Sequence, residues 1–134
     1  MELTLPAATL AREMSLMQGV VERRTPHQIL SNVLLEARDQ TLTLTATDLD
    51  TTFVSEIESL SLKASGAVTV PARRLFDVVR DLPPAAEVRL RVLENHHVQI
   101  DCKEPKLRIR LNGLPATDFP TRPEAAGGPT LTLK

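Results

Sequence analysis

The chain repeats one pattern, and this repetition limits its possible folds more than any other feature. Residues 2–5 (Glu-Leu-Thr-Leu) alternate polar and apolar side chains before Pro6, and residues 67–70 (Ala-Val-Thr-Val) alternate in the same way before Pro71. Alternation with a period of two is typical of a strand with one buried face, and a proline suits the first turn of a helix. A helical pattern follows each proline, so the sequence predicts two places at which a strand leads directly into a helix.

Each predicted helix has one apolar stripe of residues three or four positions apart. The stripe of the first helix is Leu10, Met14, Met17 and Val21, and that of the second is Leu75, Val78, Val79 and Leu82. This spacing predicts that each helix packs one face on a core. Gly19 is expected to end or loosen the first helix, and Pro83 and Pro84 end the second.

Strand-like runs separated by short turns follow each helix. The first set is 29–36, 41–47 and 52–57, and the second set is 87–93, 98–102 and 106–111. Short turns favour antiparallel neighbours, so we predict an α+β fold in which two helices pack on antiparallel sheet. The strand–helix–three-strand unit would occur twice, at about 1–60 and 66–112. The alternative is coincidence, because many α+β domains contain a helix followed by hairpins.

Composition limits the partners of this chain. The 134 residues fit one ordinary domain, and 42% hydrophobic residues suffice for a core, but aromatic residues make up 2%. Few aromatic rings leave few surfaces on which bases stack, so sequence-specific reading of single-stranded nucleic acid is not expected. The formal net charge of −1 argues against a generally basic nucleic-acid binder, although a local basic face is compatible with it.

The sequence also indicates a cellular compartment. The single cysteine, Cys102, cannot form an internal disulfide, which suits a reducing compartment. No apolar run has the length of a membrane span, and residues 1–10 lack the charged start and apolar centre of a signal peptide. We therefore expect a cytoplasmic protein with no membrane partner.

Arginines gather on the helix faces that point away from the apolar stripes. On the second helix Arg73, Asp77 and Arg80 share this face, and Arg74 lies at its flank. The first helix offers a small, weakly basic face, with two further arginines in a loop: Ala8, Arg12, Ser15 and Gly19, then Arg23 and Arg24. These arginines are either a solvated surface or phosphate contacts. No base-reading Asn or Gln cluster accompanies them, so any DNA contact is expected to ignore sequence.

Four segments resemble the first domain of the bacterial DNA polymerase III β sliding clamps. They are 70–77 (VPARRLFD) with Arg80 and the Leu-Pro pair at 82–83, 29–35 (ILSNVLL) after Pro26, 42–49 (LTLTATDL), and 114–120 (LPATDFP). Their common order and spacing over most of the chain make the joint resemblance specific. The family resemblance implies three duplicated domains per chain and two chains that close head to tail into a ring around DNA.

The resemblance implies roles for particular residues. Arg24, Arg73 and Arg80, together with Arg12 on the matching face of the first helix, would face double-stranded DNA in the channel. The edge strand 106–111 would join the third domain of a second chain, and the homodimer interface would contain Arg74, Lys106, Arg108, Ile109 and Leu111. Arg74 stands where the family often has Lys, and Leu75 and Ile109 where it often has aromatic residues.

The resemblance also implies a function. A clamp is a non-catalytic subunit of DNA polymerase III that tethers the replicative polymerase, so we expect a replication processivity factor without cofactor or metal. Residues 1–122 would be the first domain, and 123–134 a linker and the start of a truncated second domain. The replicative polymerase and the clamp loader would bind through domains that this chain lacks. Negative charge away from the channel would keep DNA off the outer wall.

Other chemistry has weaker support in the sequence. Asp48 and Asp50 flank a turn without a third acidic ligand nearby, and His96 and His97 are neighbours that a strand would point apart. The alternatives are a small metal-dependent enzyme that uses these residues, and a protein-interaction module on the same scaffold. The enzyme would need a metal for its activity, and the interaction module would tolerate charge reversal of the helix arginines.

Overall fold

The computed structural model describes residues 1–17, 32–47 and 51–119 of the chain. The described elements, in chain order, are β1 (Glu2–Pro6), α1 (Ala7–Met17), β2 (Asn32–Arg38), β3 (Thr41–Thr47), β4 (Thr52–Glu58), β5 (Ser61–Ala64), β6 (Gly66–Pro71), α2 (Ala72–Arg80), β7 (Glu87–Val92), β8 (His97–Cys102) and β9 (Leu107–Asn112). Neither described helix is long and apolar enough to cross a membrane.

The strands form two antiparallel sheets that exchange their first strands. Sheet A has the order β5-β1-β7-β8-β9, and sheet B has the order β4-β3-β2-β6. β1 begins the first half of the chain but pairs with β7 of the second half. β6 begins the second half but pairs with β2 of the first half. Each half therefore needs the other to complete its sheet.

The two exchanged strands pair in the same way. Leu5 lies opposite Val88 between β1 and β7, and Val70 lies opposite Val33 between β6 and β2. In both strands the next residue is the proline that ends the strand, and a helix begins directly after it. The predicted α+β fold, with a duplicated strand–helix–three-strand unit, is therefore confirmed.

One core lies between the helices and the two sheets. The α1 stripe is fully buried at its described positions, Leu10, Met14 and Met17. In α2, Leu75 and Val79 are buried, while the other two stripe residues, Val78 and Leu82, are half-buried at the edge of the core. The helices also pack against each other. Their exposed faces therefore form one surface, which we call the helix layer (α1 and α2).

Some local features differ from the sequence predictions. β5 was not predicted, because its four residues are too few to show an alternating pattern. Its one large apolar residue, Leu62, lies opposite Leu3 of β1. Lys106 lies in the turn before β9 and not in the strand. Pro71 caps α2 from the last position of β6 with φ −59°, the value that its ring enforces, and is not the first helical residue. The predictions for Gly19, Val21 and residues 29–31 lie outside the described residues.

Gly113 occupies a close crossing between the two sheets. Its N–H donates a hydrogen bond to the His96 carbonyl at 3.1 Å. The next residue, Leu114, exchanges two backbone hydrogen bonds with Thr69 of β6, at 2.9 and 3.0 Å. A Cβ at Gly113 would lie 2.3 Å from the His96 oxygen and 2.6 Å from the Thr69 oxygen. Only glycine fits between these two backbone oxygens without displacing one of them.

The substitution Gly113→Ala is expected to lower the free energy of unfolding by about 2 kcal/mol, because the added methyl group collides with rigid backbone. This cost exceeds the ~0.4–1 kcal/mol that alanine contributes by restricting the unfolded chain. Urea denaturation measures the change, and Ser65→Ala at an exposed position is the matched control. A Gly113→Ala variant as stable as the wild type would contradict the close crossing.

Candidate nucleic-acid interface and joining edge

The exposed face of α2 carries two arginines that share one acidic partner. Asp77 Oδ2 lies 3.8 Å from Arg73 Nε, and Asp77 Oδ1 lies 3.6 Å from Arg80 Nη1. Helical spacing of three and four residues brings these side chains onto one face, as the sequence predicts. Arg80 also lies over the ring of Phe76, with 5.5 Å between the guanidinium carbon and the ring centroid, and contacts Asp81 at 3.8 Å.

Both arginine side chains are open to solvent, whereas Asp77 is partly exposed and its Oδ1 is covered. The Arg73 and Arg80 side chains are 62% and 52% exposed, and Asp77 is 44% exposed. Exposed ion pairs of this kind contribute at most about 1 kcal/mol, so a competing anion can displace Asp77 at low cost. The arrangement suits transient contact with phosphate groups, since each guanidinium has five N–H donors and more than half of each side chain is exposed.

The exposed face of α1 is less basic. Ala8, Arg12 and Ser15 are exposed, as predicted. Arg12 Nε lies 3.3 Å from Oε2 of its neighbour Glu13, which partly compensates its charge. Arg24, the remaining predicted DNA-contact residue, lies outside the described residues. Three of the four predicted arginines therefore lie in the helix layer, and their contact with DNA stays a prediction.

Glu13 is a buried carboxylate that the sequence analysis missed. It lies on the core side of α1, where its Oε1 accepts a hydrogen bond from the Ser55 hydroxyl of β4. Glu13 lies three residues after Leu10 and four before Met17, so helical spacing places it within the apolar stripe. A charged residue at a position expected to be buried was the signal in the sequence. The Glu13–Ser55 contact fixes α1 on sheet B, and Glu13 Oε2 restrains Arg12.

The predicted joining strand lies at the edge of sheet A. β9 pairs with β8 on one side and has no partner on the other among the described strands. Arg108 and Arg110 point to the outer face and are exposed. The inward residues are half-buried at Ile109 and buried at Leu111. The remaining candidate, Arg74, is exposed on α2, and no hydrogen bond or ion pair joins it to β9 in the described part of the chain.

A row of alternating charges crosses all five strands of sheet A on its outer face. The contacts run from Lys63 to Glu2 (4.0 Å), from Glu2 to Arg89 (3.8 Å), from Arg89 to Asp101 (3.1 Å) and from Asp101 to Arg108 (2.9 Å). Each step joins neighbouring strands, and the row ends with a cation at the unpaired edge. We call this row the charge ladder.

Asp101 is the most constrained member of the charge ladder. Its side chain is 16% exposed and accepts hydrogen bonds from Arg89, Gln99 and Arg108. Burial acts to raise the pKa of this carboxyl, but the hydrogen bonds from Gln99 and the two arginines outweigh it and lower the pKa below 3.8. Asp101 therefore stays ionised and holds Arg108 on the outer face of the edge strand.

The outer faces of the two sheets carry opposite charge. On sheet A, basic side chains outnumber acidic ones: Lys63, Arg89, Arg91, Arg108 and Arg110 against Glu2, Glu87 and Asp101. On sheet B the excess is acidic: Glu36, Glu56 and Glu58 against Arg38. The negative charge that was expected to keep DNA off the outer wall is therefore present on sheet B and not on sheet A, because the duplicated strands differ in charge at their outward positions.

The side chains set aside in the sequence analysis form no site in the described residues. Cys102 is buried. No group of three or more His, Cys, Asp or Glu residues that could hold a metal ion occurs in the ranges 1–17, 32–47 and 51–119. His96 ends a short 3₁₀ turn, and His97 begins β8. Asp48 and Asp50 lie outside the described residues.

Two side-by-side helices backed by two antiparallel sheets, both built from one repeated unit, define the class of DNA-clamp domains. Comparison with known proteins identifies the family within this class. Residues 1–123 match the family model described as the N-terminal domain of the DNA polymerase III beta subunit. The chain therefore belongs to the family of bacterial DNA polymerase III beta subunits, the sliding clamps.

Individual relatives agree with this assignment. The beta sliding clamp of Pseudomonas putida is 38% identical over 134 residues, which covers 100% of this chain and 36% of the relative. That of Escherichia coli K12 is 36% identical over 120 residues, covering 90% and 32%. The crystal structure of the Pseudomonas aeruginosa clamp bound to griselimycin matches with a TM-score of 0.86 at 38% identity, covering 96% and 33%. The chain spans about a third of the length of these relatives.

The pKa of Asp101 predicts how acid acts on the fold. Because the folded pKa lies below 3.8, ionised Asp101 stabilises the native state at neutral pH. This contribution is complete above the unfolded pKa and is lost as the pH falls through the folded pKa. Asp101→Asn should therefore lower the free energy of unfolding at pH 7, and the difference from the wild type should shrink below about pH 4. Urea denaturation from pH 7 to pH 2.5 tests this; a pH-independent difference would contradict it.

Proposed function

We propose that this chain supplies the first domain of a clamp that encircles double-stranded DNA and tethers the replicative polymerase. In this proposal residues 1–122 form the domain, and residues 123–134 begin the connection to the next one. The observation that carries the proposal is the helix layer, in which Arg73 and Arg80 lie exposed around Asp77. Membership in the sliding-clamp family supports it.

The charge balance of the helix layer suits a ring that slides. Phosphate contacts ignore base sequence and weaken steeply with salt, so a few partly compensated arginines hold DNA without fixing its position. Asp77 keeps Arg73 and Arg80 from binding any one phosphate tightly, because it competes for both guanidinium groups. Arg12, restrained by Glu13, would add a similar weak contact, and so would Arg24.

The clamp would act by topology and not by catalysis. We propose a homodimeric ring in which β9 pairs with an edge strand from the third domain of a second chain. Exposed edge strands pair readily, and Arg108 and Arg110 would favour an acidic partner strand. Arg74 and Lys106 would lie at the margin of this contact. The replicative polymerase and the clamp loader would bind elsewhere in the ring, and the cytoplasm is the compartment where such a ring would work.

Removing the negative charge between the two arginines should strengthen DNA binding. Asp77→Asn is expected to tighten binding to duplex DNA of any sequence about fivefold at low salt, which corresponds to roughly 1 kcal/mol. Asp39→Asn changes the net charge equally at an exposed turn in the opposite half of the chain and should leave the affinity unchanged. Fluorescence anisotropy with two duplexes of unrelated sequence measures both variants.

Arg73→Glu and Arg80→Glu should have the reverse effect. Each is expected to weaken binding and to reduce the slope of log K against log salt by about 1, because one phosphate contact is lost. Salt should abolish wild-type binding. Sequence-dependent or salt-resistant binding would refute the phosphate-contact proposal, and unchanged binding by both reversed variants would favour the interaction-module alternative.

The role of β9 can be tested in a complete ring. In a chimera, residues 1–122 of this chain would replace the first domain of the Pseudomonas putida clamp. Arg108→Glu in the chimera is expected to raise the dimer dissociation constant at least tenfold, because it repels both Asp101 and an acidic partner strand. Sedimentation velocity measures the dimer, and Arg38→Glu on sheet B is the control. A chimera that remains equally dimeric would show that β9 is not the joining edge.

A further inference from the structure

The two helices compensate their exposed arginines in different ways. Arg12 lies six residues after Pro6, and Asp77 lies six residues after Pro71, so α1 has a cation at the position where α2 has its shared acid. Asp77 meets its arginines on the exposed face of α2. The one acidic residue of α1 is Glu13, which is buried. The charge of Arg12 is therefore compensated from the core side of the helix.

The contact of Glu13 with Arg12 forms at the border between the buried and exposed faces of α1. Their side chains are 9% and 71% exposed, and successive residues of a helix point about 100° apart. Glu13 Oε2 reaches only Nε of Arg12, at 3.3 Å. Within the described ranges the two terminal nitrogens of Arg12 make no hydrogen bond or ion pair, so their N–H groups remain for an anion.

Ser55 of β4 shares the same carboxylate. Its hydroxyl donates to Oε1 of Glu13, and its side chain is completely buried. A buried carboxylate needs partners for its charge, and the described part of the chain supplies Glu13 with two, a hydroxyl inside the core and a guanidinium at the surface. The more the hydroxyl stabilises the carboxylate, the less the carboxylate depends on Arg12.

We propose that Glu13 is a positioning residue that limits the phosphate affinity of Arg12, and that Ser55 determines how strongly Glu13 holds this arginine. We call the three residues the Ser55–Glu13–Arg12 relay. The inference rests on the proposed contact of the helix layer with DNA. It deepens that proposal by assigning control of one contact to two buried residues that DNA would not touch.

The relay should respond to salt differently from the ion pairs of α2. Dissolved ions screen exposed charges strongly and buried charges much less. The restraint of Arg73 and Arg80 by the partly exposed Asp77 should therefore weaken as the salt concentration rises. The restraint of Arg12 by the buried Glu13 should persist over the same range.

Glu13→Gln tests the charge of the relay. The amide oxygen still accepts the hydrogen bond from Ser55, but Arg12 loses its negative partner. The 134-residue chain with this substitution is expected to bind duplex DNA about threefold more tightly at low salt. This gain relative to the wild type should stay constant towards moderate salt, whereas the gain from Asp77→Asn should decline. Asp39→Asn, with the same change in net charge, should show no gain.

Ser55→Ala should have the opposite effect. Without the hydroxyl, the carboxylate of Glu13 depends on Arg12 alone and holds it more firmly, so binding to duplex DNA is expected to weaken about twofold. A purely structural role would move both variants in the same direction, because both alter one buried contact. Ser59→Ala is the matched control, since it removes a hydroxyl just after β4 that bonds to the Gln40 carbonyl and should leave DNA affinity unchanged.

A background without the arginine completes the test. In an Arg12→Gln chain, Glu13→Gln and Ser55→Ala should no longer change the affinity for DNA, because both act through Arg12. Fluorescence anisotropy measures binding, and circular dichroism verifies the fold of each variant. If Ser55→Ala does not fold, Glu13→Gln with and without Arg12→Gln decides the question.

Two results would overturn the relay, namely an unchanged affinity in Glu13→Gln or effects that persist in the Arg12→Gln background. Weaker binding by Arg73→Glu in the same experiment would then leave the proposed function standing. A wild-type chain that does not bind duplex DNA would overturn both.

Discussion

β1 and β6 each complete the sheet of the opposite half of the chain, and the position of both helices depends on these two strand pairings. Pro6 and Pro71 end the exchanged strands, and a helix begins at the next residue in each case. The register of each strand on its partner therefore determines where the following helix lies. Because the two registers are equivalent, α1 and α2 come to lie side by side.

This geometry concentrates weak electrostatic contacts in two regions. In the helix layer, exposed arginines share Asp77, so their attraction for phosphate is moderated and depends on salt. In sheet A, Asp101 is largely covered and holds Arg89 and Arg108, so the charge ladder is more rigid. The same residue types thus form weak, exposed ion pairs in the helix layer and an ordered, partly buried network in sheet A, and burial accounts for the difference.

The duplicated halves keep one backbone geometry and differ in their side chains. Where the second unit packs apolar residues at Val78 and Ile109, the first unit has the buried pair Glu13 and Ser55. At the outward positions of the corresponding strands β4 and β9, β4 has glutamates where β9 has arginines. Backbone pairing tolerates these exchanges, since strand hydrogen bonds do not depend on side-chain charge. The two ends of the domain have therefore become chemically distinct.

Some of this structure was predictable because its causes are local. Period-two alternation, the stripes of α1 and α2 and the strand-ending prolines specify most elements, and helical spacing brings Arg73, Asp77 and Arg80 together. β5 escaped prediction because four residues carry too little periodicity. Helical spacing left the exposed arginines as either a solvated surface or phosphate contacts, and the family resemblance favoured DNA contact and supplied the candidate edge residues.

Only the tertiary structure decided which strands exchange, and so which side chains meet over long separations. The contact of Glu13 with Ser55 joins residues 42 positions apart, and the charge ladder joins five strands from both halves. No local period encodes these contacts, because they follow from the register of strands that are distant in the chain. The sequence by itself determined the repeated unit and its helix faces. The pairing of the two units decided which charged strands lie at the sheet edges and how the two helices form one layer.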